Sequence, residues 1–556
     1  MRFAPPMPTV LTLEKPMPTF DTITIDEAQE IIDTLKNADA EISQAYFNGD
    51  AWQSGDAWIG PRPADDDTDG ETVLEQIENG LVSKNVIAEV VGRHKDALIG
   101  QEPDWSFVPR RPMKTNERPT AAESALIDEA EAVLTDWWDS QQVLQRLQET
   151  ISNLLINSYQ ETPTRIFARS CIRLFVPPGL VDESGRLPKQ NDLADALSLI
   201  YPHSPELFSS LVYIDPDSQE RIGLYSFRVN DLINVIEENR MEVHGLDARR
   251  RTIIRIYENE AQSTESEPLE LGGNLGIFEL KRERFITPQV QQLQAVLNMA
   301  LTMMGRNVVL GGFLERMILN AQLPGRFVDD PENPGKKIFE ASEFFVGAGS
   351  TNALAGLPIY GDDNRPTRVT GYTNPNVIYR DPVPVNTFKD TKAEAYAAIL
   401  EETKQIHALI SKDATASGES RKQARAEFRS SLNATKPQIE AAGRWILETA
   451  LAMAAQFSGQ PGRFKDLRAM FQCRLDLGPM SSEDTKTVIE LRDADIISTN
   501  DAMQRVGVDD PDAMAATIAK EKAENPAPVI PPIVPAVDPT KQPQPMPPNP
   551  NNGGNQ

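Results

Sequence analysis

Hydrophobic residues recur at helical spacing between Asp381 and Phe457, and they predict two helices joined by a loop of small residues. The loop covers residues 411–419, and the second helix continues to Phe457. At about 1.5 Å per residue the second helix would be about 55 Å long. Pro437 lies inside it and should kink it, because proline lacks the amide proton and its ring clashes with the preceding turn. The apolar stripe of the first helix consists of Tyr396, Ile399, Leu400, Thr403, Ile406 and Ile410.

The first half of the chain changes from helical to strand-like patterns. Residues 24–43, 71–98 and 121–158 have helical apolar spacing. After residue 165, short runs of β-branched and aromatic residues alternate with polar loops as far as residue 280, which predicts strands. A further helix begins at Thr287 and Pro288, which fit a cap residue followed by proline at the first helical position.

The remaining segments are rich in proline, glycine or polar residues. Residues 1–20 contain five prolines and predict an extended arm. Residues 305–383 are rich in glycine and proline, and a small helical region follows residue 459 and runs to about residue 524. Residues 525–556 cannot bury enough apolar area to fold, so they predict a mobile tail. Binding of a partner through a polyproline helix is the alternative for this tail.

Composition places the chain among soluble globular proteins with several domains. It has 556 residues, 40% of them hydrophobic, and its apolar runs are too short and too charged to predict a membrane span. The N-terminus lacks the apolar stretch of a secretion signal. Cys171 and Cys473 are the only cysteines, which favours a reducing compartment over a disulfide framework.

The net charge of −27 argues against tight static binding of DNA, which needs lysines and arginines to neutralise phosphates. A mainly acidic channel would instead repel phosphates and let DNA slide past. An acidic surface that only aids solubility explains the charge equally well.

The most basic stripe of the chain follows the loop 411–419. Arg421, Arg425 and Arg429 are spaced by four residues, with Lys422 beside them and Lys412 in the loop. Ala424, Phe428 and Leu432 form the neighbouring apolar stripe. The basic stripe is the best candidate for DNA contact, and ion pairing with nearby glutamates or with an adjacent subunit is the alternative.

A possible cation site lies at Asp65, Asp67 and Asp69, which with Gly70 match the first half of a calcium loop. The twelfth position is Gln76 rather than the required glutamate, so a solvated acidic loop is favoured over a metal site. No pattern of a nucleotide-binding loop, a zinc protease or a serine hydrolase is present, so we expect neither enzymatic activity nor a cofactor.

Three stretches carry a resemblance to a known family. They are Tyr379-Arg380-Asp381-Pro382-Val383-Pro384-Val385-Asn386, Ala416-Ser417-Gly418-Glu419-Ser420-Arg421 and Gly443-Arg444-Trp445. They resemble the core of portal proteins from tailed bacteriophages of the long-tailed type. The similarity extends to residues 286–312 and 478–484, and in outline to most of the chain between residues 22 and 525.

The resemblance implies an α+β, mainly helical fold of elongated, multidomain shape. Its parts would be an N-terminal arm (1–20), a wing that is helical and then β-rich (21–286), a first stem helix (287–304), a clip (305–383), a second stem helix (384–410), a tunnel loop (411–419), a long kinked helix (420–458), a crown (459–524) and a disordered tail (525–556).

The resemblance also implies a function. Portal subunits form a ring, here expected to contain twelve copies, through which double-stranded DNA enters and leaves the capsid. The expected partners are the major capsid protein, the terminase and head-to-tail adaptors; the expected location is the portal vertex of the virion, after assembly in the host cytoplasm. The residues expected to line the channel are Ser411, Lys412, Asp413, Ala414, Thr415, Ala416, Ser417, Arg421, Lys422 and Arg425.

Two other functions remain open at this point. The chain could be a scaffold or adaptor of the virion that recruits partners through its proline-rich tail. It could also be a nucleic-acid-processing enzyme with an unrecognised site.

Overall fold

A computed structural model describes most of the chain. The described residues are 17–34, 38–50, 80–113, 118–162, 165–177, 189–215, 217–231, 236–258, 261–312, 316–322, 325–329, 331, 335–341, 355–360, 369–379, 383–410, 418–475, 482–494, 496–506, 514–515 and 517–520. The chain is an α+β protein with two compact units, Met1–Leu477 and Gly478–Gln556.

The first unit begins with five helices, and all but the first contribute to its main hydrophobic core. They are α1 (Ile25–Asp33), α2 (Ala38–Asn48), α3 (Val86–Ile99), α4 (Ala121–Ser140) and α5 (Val143–Ile156). Capping boxes start α1 at Thr24 and α4 at Thr120, where a threonine hydroxyl and a glutamate three residues later satisfy free amides. Strand β1 (Asp104–Pro109) lies between α3 and α4 in the chain.

Two antiparallel sheets follow. Their strands are β2 (Tyr159–Thr162), β3 (Arg165–Phe175), β4 (Tyr201–His203), β5 (Ser210–Ile214), β6 (Arg221–Asp231), β7 (Ile236–Leu246), β8 (Thr252–Glu258), β9 (Ala261–Glu265) and β10 (Ile277–Glu283), with the short helix α6 (Leu193–Ser198) before β4. One sheet has the order β10-β3-β2 with β4 also paired to β3, and the other has the order β5-β6-β7-β8-β9.

The five-stranded sheet packs against other parts of the protein on both faces. Side chains alternate along its strands, so neighbouring residues of one strand point to opposite faces. Met241 and Val243 of β7 point to one face, where they form a small core with Ile31 of α1 and with Phe20. On the opposite face Tyr225 of β6 packs with Ile277 of β10. The sheet therefore joins the N-terminal segment to the β10-β3-β2 sheet.

A long helix then leads to a set of small strand pairs. Helix α7 (Pro288–Gly312) packs along α8 (Val385–Glu402). Between them lie β11 (Arg316–Leu319), β12 (Ala321–Gln322), β13 (Gly325–Asp329), β14 (Lys337–Ala341), β15 (Ala355–Gly356), β16 (Pro358–Tyr360), β17 (Val369–Tyr372) and β18 (Asn376–Tyr379). These strands pair two by two, as β11-β18, β12-β15, β13-β14 and β16-β17.

The remaining elements complete both units. The first unit ends with α9 (His407–Ile410), α10 (Gly418–Asn433), α11 (Lys436–Phe457) and β19 (Leu467–Gln472), and β19 pairs antiparallel with β1. In the second unit α12 (Ser482–Asp493) contacts α13 (Thr499–Val506), and Val488 and Ala502 are buried.

The predicted helix of residues 420–458 is wrong as a single element. Helix α10 ends at Asn433, and α11 begins at Lys436 with Pro437 in its first turn. Proline has no amide proton to give to the carbonyl of Asn433, so the helix stops there, whereas the first turn of a new helix tolerates proline. The sequence located the disturbance but predicted a kink where the structure has a break.

Other predicted bounds also change. The helix expected at 287–304 runs to Gly312, the helix expected at 384–410 ends at Glu402, and the helix expected at 121–158 divides at Gln142, whose φ is +51°. The region after residue 459, expected to be helical, begins with strand β19 in the first unit. Strand pairing with β1 decides this, and a partner so distant in the chain is not visible in local spacing.

Candidate functional site around helix α10

The residues expected to contact DNA lie at and before helix α10. Residues 411–417, which include Ser411, Lys412, Asp413, Ala414, Thr415, Ala416 and Ser417, lie outside the described part of the chain. Arg421 and Lys422 lie on α10, but their side chains are outside it too. Because α10 covers Arg421, Arg425 and Arg429, their four-residue spacing places all three along one side of the helix.

The apolar stripe of α10 holds the helix against the protein. Ala424, Phe428 and Leu432 are buried, as the sequence predicted. The Phe428 ring stacks on the imidazole of His407 in α9 with ring centres 4.3 Å apart. It also meets the edge of His94 in α3 at 6.0 Å. These contacts leave Arg425 half-buried and Arg429 exposed.

Two arginines affect the titration of His407. Burial, and then the charges of Arg93 and Arg425, lower the pKa of His407 to about 4. The imidazole is therefore neutral at pH 7. Arg93 is itself paired with Glu89 on α3.

Helix α8 ends in a fixed bend just before α9. Lys404 has a φ of +58°, which turns the chain out of the helix. The next residue, Gln405, is fully buried and its Nε2 donates a hydrogen bond to the carbonyl of Val90 in α3 (2.7 Å). Arg93 Nη1 donates to Gln405 Oε1 (2.8 Å). Two side-chain bonds thus pin the bend to α3.

An ion network extends this anchor to the side of α8. Glu89 accepts hydrogen bonds from Arg93 Nη2 and from the hydroxyl of Tyr396, both at 2.6 Å. The ammonium of Lys84 lies 3.5 Å from Glu89 and 4.2 Å from the centre of the Tyr396 ring. Burial would raise the pKa of Glu89, but the hydrogen bond from Tyr396 and the charges of Lys84 and Arg93 lower it below its ordinary value.

The segment between α7 and α8 has a different character. No described side chain between Val308 and Glu394 is buried. Exposed large apolar side chains are concentrated here: Val308, Leu319, Ile338, Leu357, Ile359, Val369, Tyr372, Val383 and Val385. A two-stranded sheet alone is only marginally stable in water. These strand pairs therefore lack a hydrophobic core within the described part of the chain.

Two interactions along α7 were not predicted from the sequence. Gln294 Oε1 accepts hydrogen bonds from the amides of Val86 (2.9 Å) and Ile87 (3.2 Å), and its Nε2 donates to the carbonyl of Lys84 (2.8 Å). Asn307 exchanges two hydrogen bonds with the backbone of Val383, at 2.8 and 2.9 Å. The polar spacing along α7 was a signal that could have suggested a buried polar face.

The acidic loop with Asp65, Asp67 and Asp69, which the sequence disfavoured as a metal site, lies outside the described residues. Within the described ranges, no group of three or more histidine, cysteine, aspartate or glutamate side chains is placed to hold a metal ion. Among the same residues, none of the helices combines the length and apolarity needed to cross a bilayer.

The described part of this site combines an anchored helix with an exposed basic side chain. A helix anchored by its apolar stripe presents Arg429 to solvent, and its neighbouring bend is held rigidly by α3. No catalytic constellation accompanies these residues in the described part of the site. In comparisons with known proteins, no family model matches the chain and no curated protein matches it.

Proposed function

We propose that the chain is a portal subunit of a tailed bacteriophage, which assembles into a ring of twelve copies and conducts double-stranded DNA at the capsid vertex. The ring would serve genome packaging, retention and ejection, and would join head to tail. The subunit would itself be neither an enzyme nor a carrier of a cofactor. Its partners would be the capsid protein, the terminase and the head-to-tail adaptors of the virion.

The observation that carries this proposal is that none of the side chains described between Val308 and Glu394 is buried. Strand pairs with exposed apolar side chains gain stability when neighbouring copies cover those side chains. A closed ring does this for every subunit, because each copy offers one surface to the next. In the portal family that the sequence resembles, the same segment would be the clip.

The distribution of charge in the chain also supports this function. Helix α10 has basic residues on one side, while the whole chain carries a charge of −27. Few positive contacts on an acidic background favour passage of DNA over tight binding. The residues proposed to line the channel are those of the loop 411–417 together with Arg421, Lys422 and Arg425.

Negative-stain electron microscopy of the purified full-length protein tests the proposal. We expect rings with a central hole. Monomers or fibres would contradict the ring, and monomers that bind virion proteins only through residues 525–556 would indicate an adaptor instead.

A paired substitution tests the surface that carries the proposal. Val369→Lys with Tyr372→Lys places charge on β17, where Tyr372 is 68% exposed, and should abolish rings without changing the unfolding of the monomer. Ile214→Lys is the matched control, since Ile214 is 60% exposed at the end of β5. Rings that form normally in the double variant would exclude this surface from the interface.

A further inference from the structure

A cavity lies on the face of the five-stranded sheet that is turned toward β3 and the end of α11. Its volume is about 300 Å³, and its lining includes residues of β3, β7, β8 and α11. The deep part is buried: Leu174 of β3 and Met453 of α11 are almost inaccessible to solvent. Lys189, Glu267 and Gly459 are exposed and mark the mouth. Within the described part of the chain, the cavity therefore opens to solvent on one side.

The walls are mainly apolar. Ile254 and Ile256 are two residues apart on β8 and so point to the same face, into the cavity. Leu269 and Phe457 form parts of the other walls. At about 300 Å³ the cavity is about twice as large as an apolar protein cavity of about 150 Å³ that holds benzene.

The deepest polar groups of the lining are paired within the protein. Arg173 donates a hydrogen bond to Glu242, and Glu242 also bonds to Nε2 of His244 (3.1 Å). The guanidinium lies against the rings of Phe175 (4.6 Å) and Tyr225 (4.4 Å). Arg173 Nε and His244 Nδ1 have no hydrogen-bond partner in the described part of the chain, but both atoms are closed off from solvent and hence from the cavity.

The shallower polar groups are also occupied. The hydroxyl of Ser266 accepts a hydrogen bond from the amide of Ile254 (2.9 Å). Gln456 accepts from the amide of Glu270 (2.8 Å) and donates to the carbonyl of Pro268 (3.1 Å). Over the whole lining the charges of Arg173 and Lys189 balance those of Glu242 and Glu267. In the buried part, where Arg173 and Glu242 are paired with each other, a charged ligand would find no uncompensated opposite charge and would lose its hydration.

We propose that this cavity is a binding site for an uncharged, apolar small molecule with the bulk of about two fused rings. Its affinity comes from removing apolar surface of the ligand and of the cavity wall from water. The neutral, internally bonded lining selects against anions and cations of the same shape. This site is independent of the surface around α10 and of the exposed strand pairs.

Fluorescence titration of the full-length protein with neutral N-phenyl-1-naphthylamine tests the proposal. We expect saturable binding of one probe molecule per chain, in the cavity. The anionic analogue 8-anilino-1-naphthalenesulfonate should bind at least about tenfold more weakly at this site, since its sulfonate would be desolvated without a partner. Equal affinity for the two probes would overturn the neutral character of the site.

Variants assign the signal to the cavity. Ile256→Trp fills it from β8 and Phe457→Trp fills it from α11, and each should weaken the neutral probe at least about tenfold. Ile214→Trp, on an exposed position, is the matched control and should leave binding unchanged. Thermal unfolding shows whether each variant is folded. If one of the two filling variants does not fold, probe binding by the other tests the site.

Two results would overturn the proposal. Unchanged binding in a folded filling variant would place the probe elsewhere. Binding that appears only after residues 178–188 are replaced by a glycine–serine linker would show that the chain itself fills the cavity, because Val176 and Lys189 on either side of that segment line it.

Discussion

At the scale of single residues, the most constrained group is the buried ion pair of Arg173 and Glu242. Both side chains are more than nine-tenths buried, and neither aromatic ring beside Arg173 can neutralise its charge. Burial would raise the pKa of Glu242, but the charge of Arg173 and the hydrogen bond from His244 lower it. The sequence predicted strands here without revealing that these charges meet, since the pair joins β3 to β7.

We expect Glu242→Gln to destabilise the first unit by about 3 kcal/mol, because it leaves the charge of Arg173 buried and unpaired. The denaturant midpoint of purified protein measures this. Glu129→Gln is the matched control: Glu129 pairs with Arg463 at a half-exposed site, where the loss should stay below about 1 kcal/mol. Equal losses in the two variants would show that Arg173 is solvated.

His407 should make stability depend on pH. Its pKa is about 4 in the folded protein against an ordinary 6.5, so the unfolded chain takes up a proton first as the pH falls. The free energy of unfolding is therefore at its full value, as far as His407 is concerned, above pH 6.5. It falls progressively as the pH is lowered toward 4. His407→Phe keeps a ring against Phe428 and removes the titration.

The urea midpoint of the wild-type protein should therefore fall more between pH 7 and pH 5 than that of His407→Phe. His94 and His203 also have lowered pKa values, so the variant should lose only part of the pH dependence. If the urea midpoints of the two proteins fall equally with decreasing pH, His407 is solvated in the folded state.

At the scale of elements, polar side chains of α7 form hydrogen bonds with the backbone of a neighbouring segment. Its buried Gln294, Asn298 and Thr302 satisfy backbone groups of residues 82–87, which lie along the helix without a strand partner. Helical spacing predicted α7 from its apolar residues alone. Which backbone its polar residues would meet depends on a segment about 200 residues earlier in the chain, beyond the reach of local patterns.

Gln294→Leu should cost about 2 kcal/mol, because the buried amide of Ile87 loses its partner, whereas the amide of Val86 keeps its bond to the carbonyl of Lys84 (3.0 Å). Gln292→Leu, two residues earlier and exposed, should change stability by less than about 0.5 kcal/mol. Chemical unfolding of both variants gives the comparison. A small effect at Gln294 would mean that water replaces its hydrogen bonds.

At the scale of the whole molecule, the proposed ring makes the basic residues near α10 a shared feature of all subunits. Each copy would contribute one set of charges to the channel, so a change in one chain is multiplied around the ring. The position of this set depends on how α3 fixes the bend at Gln405, since α9 follows it directly.

Lys412→Glu combined with Arg421→Glu should reduce the DNA content of particles while rings still form, because the added negative charge repels phosphates in the channel. Lys465→Glu with Arg249→Glu makes the same charge change at exposed positions elsewhere and is the control. DNA content per particle is measured beside ring yield. Normal DNA content in the first variant would remove these residues from the channel, and loss of rings would make them structural.

The sequence by itself predicted many of the helices and strands, although not all of their bounds, and it located the apolar stripe of α10 at Ala424, Phe428 and Leu432. These features follow from local periodicity, because a buried face must recur every three to four residues along a helix. It also marked Pro437 as a point of disturbance, since the missing amide proton is a local property.

Only the tertiary structure decided the rest. The pairing of β19 with β1, the contact of Gln405 with α3 and the meeting of Arg173 with Glu242 each join residues far apart in the chain. Such contacts are selected by packing and by the need to satisfy buried polar groups, and neither is encoded in spacing. Only the tertiary structure, likewise, decided that Leu319, Ile338, Ile359, Val369 and Tyr372 lie exposed on the strand pairs between α7 and α8.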